Sequence, residues 1–143
     1  MSYMEILGRN AKESAPILAA ASTKLKNDAL EKIANALISS TDKILEANAK
    51  DLEAAAENNM KQSMQDRLRL SEERIKGIAK GVRELIAMED PVGKVESGSI
   101  RPNGLQILKT KVPLGVIGMI FESRPNVTVD AAVLCLKSGN AVI

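Results

Sequence analysis

The segment that decides the fold is GVIGMIFESRPNVTVDAAVLCLKSGNAVI, which covers Gly115–Ile143. It opens with a wholly apolar run, Val116–Phe121, which predicts a strand buried on both faces, as in a parallel sheet. Asn126–Lys137 is apolar nearly all round and predicts a buried helix that ends at the stop signal Ser138–Asn140. Ala141–Ile143 then begins a second apolar run. Strand, helix and strand in this order predict a βαβ crossover and a parallel pair of strands.

Two parallel strands do not make a stable sheet, because further strands and covering layers are needed to bury both faces. The segment therefore predicts an α/β fold in which the sheet is only begun. We expect the 143 residues to be the front part of a longer chain.

The region before this unit predicts helices. Ser2 and Glu5 have capping-box spacing, which starts a first helix near Tyr3. Pro16 makes this either one kinked helix or two pieces. Residues 60–70 predict a plain connection. Three further helices are expected over about Lys24–Ser39, from a cap at Ser40 or Thr41 to Asn58-Asn59, and from a cap at Ser71 to Asp90-Pro91.

Residues 91–113 predict a β-hairpin. Asn103-Gly104 separates a strand that ends at about Arg101 from a strand over Leu105–Val112, and such a turn needs a positive φ at both positions. Pro102 cannot donate to a ladder and indicates an edge strand. The hairpin is either an oligomer contact or a plain sheet edge.

Composition excludes several classes of function. The chain has no His, one Cys, one Phe, one Tyr, no Trp and a net charge of +2. These numbers argue against a His-ligated metal, a paired-Cys zinc site, an internal disulfide and nucleic-acid binding, and we interpret the Lys and Arg residues as a solvated helix surface. No apolar stretch approaches about 18 residues and no signal peptide is evident, so we expect no membrane span. A single free Cys fits the cytoplasm.

Glu122–Asn126 is the only dense cluster of reactive side chains. It lies between a predicted strand and a predicted helix, and in open α/β sheets ligands bind at the carboxyl ends of strands. The alternative is ordinary turn chemistry, with Asn126 as the N-cap of the helix. Cys135 lies inside the apolar helix with nothing nearby to lower its pKa, and we interpret it as a core residue and not as a nucleophile.

The sequence resembles the γ-glutamyl phosphate reductases, also called glutamate-5-semialdehyde dehydrogenases, of the aldehyde dehydrogenase superfamily. The resemblance rests on KVPLGVIGMIFESRPNVTVDAA at Lys111–Ala132 and LKSGNAVI at Leu136–Ile143. ILEANAKDL at Ile44–Leu52, DRL at Asp66–Leu68 and DPVG at Asp90–Gly93 agree with it. The ESRPNVT stretch is specific to this branch, whereas PxGVxG alone would indicate only the superfamily.

The resemblance implies a division of the chain and a reaction. Residues 1–90 would be the helical part of a cofactor domain, 91–113 an oligomerisation hairpin, and 114–143 the start of an NADP-binding sheet. The reaction would be NADPH-dependent reduction of L-glutamyl 5-phosphate to glutamate 5-semialdehyde and phosphate in proline biosynthesis. A homo-oligomer and a functional link to glutamate 5-kinase are implied as well.

The resemblance also implies roles for individual residues. The catalytic Cys of the family lies beyond Ile143, and Cys135 does not occupy its position. Phe121, Glu122 and Ser123 would line the cofactor channel. An Asn of the superfamily helps to hold the oxyanion in this loop; Asn126 is the nearest match, while strict spacing puts Arg124 there. Arg124 could instead pair with the phosphate or carboxylate of the substrate, since a guanidinium binds either bidentately.

Two other functions stay open at this point. The chain could be a non-enzymatic helical binding module with a β-rich tail, which would behave as a cooperatively folded monomer. It could also belong to a reductase of the same superfamily that acts on a different acyl substrate.

Overall fold

The computed structural model describes residues 2–143, and the α/β class predicted from the sequence is confirmed. Five helices come first, followed by a hairpin and a βαβ unit. The elements are α1 Tyr3–Ala19, α2 Thr23–Ser39, α3 Thr41–Glu57, α4 Gln62–Leu68, α5 Glu72–Ala87, β1 Val95–Ile100, β2 Gln106–Thr110, β3 Val116–Ile117, α6 Pro125–Lys137 and β4 Ala141–Val142.

Local capping explains where several helices begin. The capping box of α1 is formed, with the Ser2 hydroxyl accepting from the Glu5 N–H at 3.3 Å and the Glu5 carboxylate accepting from the Ser2 N–H at 2.6 Å. Pro16 lies inside α1, which is one continuous helix. Ser40, one of the two predicted caps, occupies the N-cap position of α3, but its side chain makes no capping bond, and the Thr41 hydroxyl donates to Ile38 O at the end of α2.

The expected connection at residues 60–70 contains the short helix α4, and Asn48 holds its end. The buried Asn48 amide donates to Leu68 O at 2.9 Å, and its oxygen accepts from the Leu70 N–H at 2.7 Å. The Leu68 carbonyl is left free by the end of α4, and the Leu70 N–H lies in the connection to α5. A buried side chain that satisfies both groups fixes the local chain path. Asn48 thus fixes the α4–α5 turn against α3.

The main core is aliphatic and is shared by α2, α5 and α6. Helical spacing places the apolar side chains of each helix on one face, and these faces meet. Full burial of one Leu side chain stabilises the fold by about 2 kcal/mol. The buried residues of this cluster are Leu30, Ala34, Ala79, Val82 and Val133. A second, smaller cluster packs Ala11 and Ala15 of α1 against Ala141 of β4.

Two lysines contradict the expectation of a solvated basic surface. Lys26 is 1% exposed, and its Nζ lies 2.6 Å from Asp90 Oδ2. Asp90 also accepts from the Thr23 hydroxyl at 2.7 Å and from the Val92 N–H at 3.0 Å. This network joins the first turn of α2 to the segment after α5. Such burial is tolerable only because the charge is paired and hydrogen-bonded.

Lys137 is the second buried lysine, at 3% exposure. Its Nζ donates to Asn27 Oδ1 at 2.9 Å and to Ile86 O at 3.2 Å. Ile86 belongs to the last turn of α5, where the carbonyl dipoles favour a cation. Lys137 therefore links the ends of α5 and α6 to α2.

The hairpin is present, but its turn differs from the predicted one. Gly104 has a φ of +86° while Asn103 does not have a positive φ. Gly104 N–H donates to Arg101 O, and Arg101 N–H donates to Leu105 O. This is a turn with Pro102 in its first central position, followed by a glycine in the left-handed region. Pro102 thus lies in the turn and not in a strand, and both strands of this two-stranded sheet are edge strands, as Pro102 indicated.

The βαβ unit is formed, and its parallel register pairs Val116 with Ala141 and Ile117 with Val142. The predicted burial of this strand is wrong for residues 2–143, because Ile120 is fully exposed and Phe121 is 44% exposed. β3 has only β4 as a hydrogen-bonded neighbour in this part of the chain, so most of its apolar surface lacks a covering layer.

We expect Asp90→Asn to lower the free energy of unfolding by about 3 kcal/mol, because the Lys26 ammonium is left buried without its counter-charge. Urea unfolding followed by circular dichroism measures the change. Asp28→Asn is the matched control, since the Lys24–Asp28 pair has side chains that are 85% and 53% exposed. The control should cost less than about 0.5 kcal/mol. Equal losses in the two variants would contradict a special role for Asp90.

The same carboxyl group predicts a pH dependence of stability. Burial raises the pKa of Asp90, but hydrogen bonds from Lys26, Thr23 and the Val92 N–H outweigh burial and hold this pKa below its ordinary value. The stabilisation is therefore complete above the unfolded-state pKa of about 3.9 and is lost as the pH falls through the lower folded-state pKa.

Wild-type stability should accordingly fall more steeply below about pH 4 than the stability of Asp90→Asn. Urea titrations from about pH 6 down to about pH 3 measure both slopes. Parallel curves would show that Asp90 does not carry this acid sensitivity.

Candidate functional site

The loop Glu122–Asn126 connects the β3 side of the sheet to α6. Ser123 has a φ of +51°, which is uncommon for a residue other than glycine, and Arg124 occupies the N-cap position of α6. Pro125 follows in the first turn, where its missing N–H costs nothing. Asn126 is therefore not the N-cap; its amide lies 3.4 Å from Asp130 Oδ2, one turn further along the helix.

The structure brings Arg124 and Asn126 together in one cleft. This cleft has a volume of about 370 Å³ and is also lined by Asp66, Arg67 and Arg74 from the α4–α5 region. The helices before the βαβ unit thus supply half of its wall. Neither periodicity nor motif spacing predicts this neighbourhood, because some 50 residues separate the two halves along the chain.

An adjoining cleft of about 440 Å³ shares Arg67, Arg74 and Asn126 with the first. Its further lining residues are Arg69, Leu70, Gly77, Ile78, Gly81 and Asp130. We call the two together the arginine cleft. Their combined size is ordinary for a small-molecule site.

The arginine cleft is electropositive. Four arginines, Arg67, Arg69, Arg74 and Arg124, face two aspartates, Asp66 and Asp130. Within residues 2–143, none of the four guanidinium groups has a carboxylate oxygen within 4 Å. Unpaired guanidinium groups bind carboxylates and phosphates bidentately, so this arrangement can bind a small dianion.

Arg74 differs from the other three arginines because its Nη1 already has acceptors. It donates to Asp66 O at 3.0 Å and to Arg69 O. These bonds join the start of α5 to the end of α4. Arg74 therefore positions the wall of the cleft, while Arg67 and Arg124 present guanidinium groups that make no such bonds within residues 2–143.

The floor of the cleft includes two glycines that the sequence analysis passed over. Gly77 and Gly81 lie one turn apart inside α5, where a glycine costs about 1 kcal/mol relative to alanine. A Cβ built at either position meets nothing within 4 Å among the described residues. Packing within residues 2–143 thus does not require glycine at these positions. Two glycines one turn apart inside a predicted helix were the feature of the sequence that could have indicated this part of the cleft.

The residues predicted to line a cofactor channel lie beside the cleft and not in it. Phe121 and Glu122 are exposed, Ser123 is half-buried, and all three follow β3 at the edge where its carboxyl end points. Their role stays a prediction. In the described range, residues 2–143, no group of three or more His, Cys, Asp or Glu side chains is arranged to hold a metal ion.

Cys135 is 7% exposed and packs inside α6. Burial raises the pKa of its thiol, which keeps the sulfur protonated and poorly nucleophilic. This environment supports a packing role. Among residues 2–143, none of the helices has the length and apolar character needed to cross a membrane.

No family model matches the chain. Two solved structures share its fold over 99% of its length: the γ-glutamyl phosphate reductase of Thermotoga maritima, at 42% identity and a TM-score of 0.95, and that of Saccharomyces cerevisiae, at 35% identity and a TM-score of 0.92. A curated γ-glutamyl phosphate reductase of Caldanaerobacter subterraneus subsp. tengcongensis is 55% identical over 140 residues, which are 98% of this chain and 34% of that relative.

These likenesses place the chain first in the α/β class of folds. Within that class it is homologous over nearly its whole length to the γ-glutamyl phosphate reductases, which confirms the resemblance seen in the sequence. The chain spans about a third of the length of the curated relatives and of the solved chains that it matches.

Gly77→Ala should raise the free energy of unfolding by about 0.5–1 kcal/mol, because alanine favours the helix and its methyl group meets no atom within 4 Å. Urea unfolding measures the gain. Gly104→Ala is the contrasting control and should destabilise the chain, since Gly104 has a φ of +86°. A loss of stability in Gly77→Ala would show that α5 needs glycine for packing.

Proposed function

We propose that an enzyme composed of this chain and the remaining two-thirds found in its relatives reduces L-glutamyl 5-phosphate to glutamate 5-semialdehyde and phosphate. The observation that carries the proposal is the arginine cleft beside the start of α6, in a chain that is 55% identical to a named γ-glutamyl phosphate reductase. The proposed substrate is strongly anionic, because it carries an acyl phosphate and a carboxylate, and the cleft has complementary charge.

The proposed chemistry balances through one covalent step and one reduction. A cysteine thiolate outside this chain attacks the acyl carbon, the C–O bond to phosphate breaks, and phosphate leaves with the bonding electron pair. NADPH, when bound, would supply the hydride for reduction of the resulting thioester to the aldehyde. The thiolate leaves with the C–S electron pair and is ready for the next cycle.

Two residues of this chain are proposed to act on the substrate. Arg124 lies where the loop meets α6 and pairs with the phosphate, which stabilises the negative charge that grows on the leaving group. Asn126 lines the same cleft and donates from its amide to the acyl oxygen, where charge also develops.

Phe121, Glu122 and Ser123 are the residues proposed to meet NADPH. They fit a nucleotide cofactor because they lie past the carboxyl end of β3, the edge at which open parallel sheets bind such groups. Exposed apolar side chains at Met119 and Ile120 continue this surface. The preference for NADPH over NADH is part of the proposal.

The remaining proposals follow from the same assignment. The hairpin over residues 91–113 exposes both of its strands along their whole length and would serve as the oligomerisation contact of a homo-oligomer. The substrate is an acyl phosphate, so a kinase that phosphorylates the side-chain carboxylate of glutamate must supply it. The enzyme would act in the cytoplasm.

Arg124→Gln in the full-length enzyme should lower kcat/KM for phosphate in the reverse, aldehyde-oxidising direction by about 100-fold, since a charge-assisted, bidentate interaction with the phosphate is lost. The assay runs in the reverse direction, with glutamate 5-semialdehyde, phosphate and NADP⁺, and follows the absorbance of NADPH. Arg9→Gln on the exposed face of α1 is the control and should leave both kcat and KM unchanged.

Two outcomes would contradict the proposal. An unchanged kcat and phosphate KM in Arg124→Gln would remove Arg124 from the site. A wild-type enzyme that oxidises simple aldehydes but not glutamate 5-semialdehyde would overturn the substrate itself and favour another acyl reductase.

A further inference from the structure

We propose that Asp66 and Arg67 form a binding site for an α-amino-acid head group, with Asp66 accepting from the ammonium and Arg67 donating to the carboxylate. The inference rests on the proposed function and deepens it, because it assigns the end of the substrate that does not react. The two side chains are neighbours at the end of α4, and both line the smaller part of the arginine cleft together with Arg124.

The two side chains have the chemistry that such a head group requires. A zwitterionic amino acid needs one anionic acceptor and one cationic donor side by side. Asp66 Oδ1 accepts from the Gln62 amide at 3.1 Å, while Oδ2 has no partner within residues 2–143. The Arg67 guanidinium likewise makes no hydrogen bond or ion pair in this range, so both groups can bind a ligand.

The backbone that carries the two side chains is rigidly held. Arg74 Nη1 donates to the carbonyl of Asp66 itself at 3.0 Å. The buried Asn48 amide bonds the carbonyl of Leu68 and the N–H of Leu70. A residue on a preorganised backbone loses less conformational entropy when it binds a ligand. These contacts therefore favour a binding role for the end of α4.

The position of the pair sets the orientation of the substrate. Arg124 and Asn126 lie next to the strand end where reaction chemistry in parallel sheets is found. Asp66 and Arg67 line the same cleft from α4, an element that precedes the sheet. The acyl phosphate would therefore lie against Arg124 and the amino-acid head against Asp66 and Arg67, with the methylene groups between them over the cleft floor.

Kinetics of the full-length enzyme in the aldehyde-oxidising direction test this assignment. Arg67→Gln and Asp66→Asn should each raise the KM for glutamate 5-semialdehyde at least about 10-fold, the effect of losing one charge-assisted hydrogen bond. The KM for phosphate and the kcat/KM for butanal, which has no head group, should change less than about 2-fold. Arg67→Lys should raise the KM for glutamate 5-semialdehyde less than Arg67→Gln does, because lysine keeps the positive charge but lacks the two parallel donors of the guanidinium.

A matched control and a direct binding measurement complete the test. Arg9→Gln on the exposed face of α1 should leave all constants unchanged. Calorimetric titration with L-glutamate and with glutarate needs no turnover. Arg67→Gln should weaken both ligands, whereas Asp66→Asn should weaken only L-glutamate, since glutarate lacks the ammonium.

The outcomes separate this inference from the proposed function. If the wild-type enzyme does not oxidise glutamate 5-semialdehyde, the proposed function fails, and the titrations still decide whether the head-group site exists. Unchanged L-glutamate binding in both variants, or no binding to the wild-type enzyme, would overturn the inference. An increase in the KM for phosphate in Arg67→Gln would overturn it as well, because Arg67 would then bind the reacting end.

Discussion

The ion pair between Lys26 and Asp90 is the interaction on which the arrangement of the helices depends. It joins the first turn of α2 to the segment that follows α5, and these two helices build most of the core with α6. A buried lysine is tolerated only with a partner, so the pair excludes alternative packings that would separate these ends. Lys137, bonded to Asn27 and Ile86 O, sets the end of α6 against the same two helices.

The arginine cleft is a consequence of this packing. Because α5 and α6 are held side by side, Arg124 at the start of α6 lines one cleft with Arg67 at the end of α4. Asn48 and Arg74 then hold that turn by its backbone. The glycines of α5 keep the floor open where larger side chains would fill it. The charge and the space of the cleft thus come from different elements, and only their packing combines them.

Much of the secondary structure could be predicted because its causes are local. The capping box at Ser2 and Glu5, the cap at Ser71 and the apolar stripes each act within a few residues. The hairpin was predicted correctly, but the predicted turn conformation, with a positive φ at both Asn103 and Gly104, was wrong. Asn-Gly occurs in more than one type of turn, and Pro102 favours the observed one, in which Pro102 is the first central residue. The predicted burial of β3 was too high. An apolar run indicates that a strand requires neighbours on both faces and edges, but within residues 2–143 β3 has only one neighbouring strand.

The sequence by itself determined the four long helices that precede the hairpin, the hairpin, the βαβ unit and the resemblance to a reductase family, because these depend on local spacing and on motif identity, whereas the short helix α4 was not predicted. It also pointed to Arg124 and Asn126, which lie in one motif. Only the tertiary structure decided that Lys26 and Lys137 are buried and that Arg67 and Asp66 share a cleft with Arg124. Which side chains meet across some 50 residues of chain depends on how whole helices pack, and a local sequence pattern carries no information about that packing.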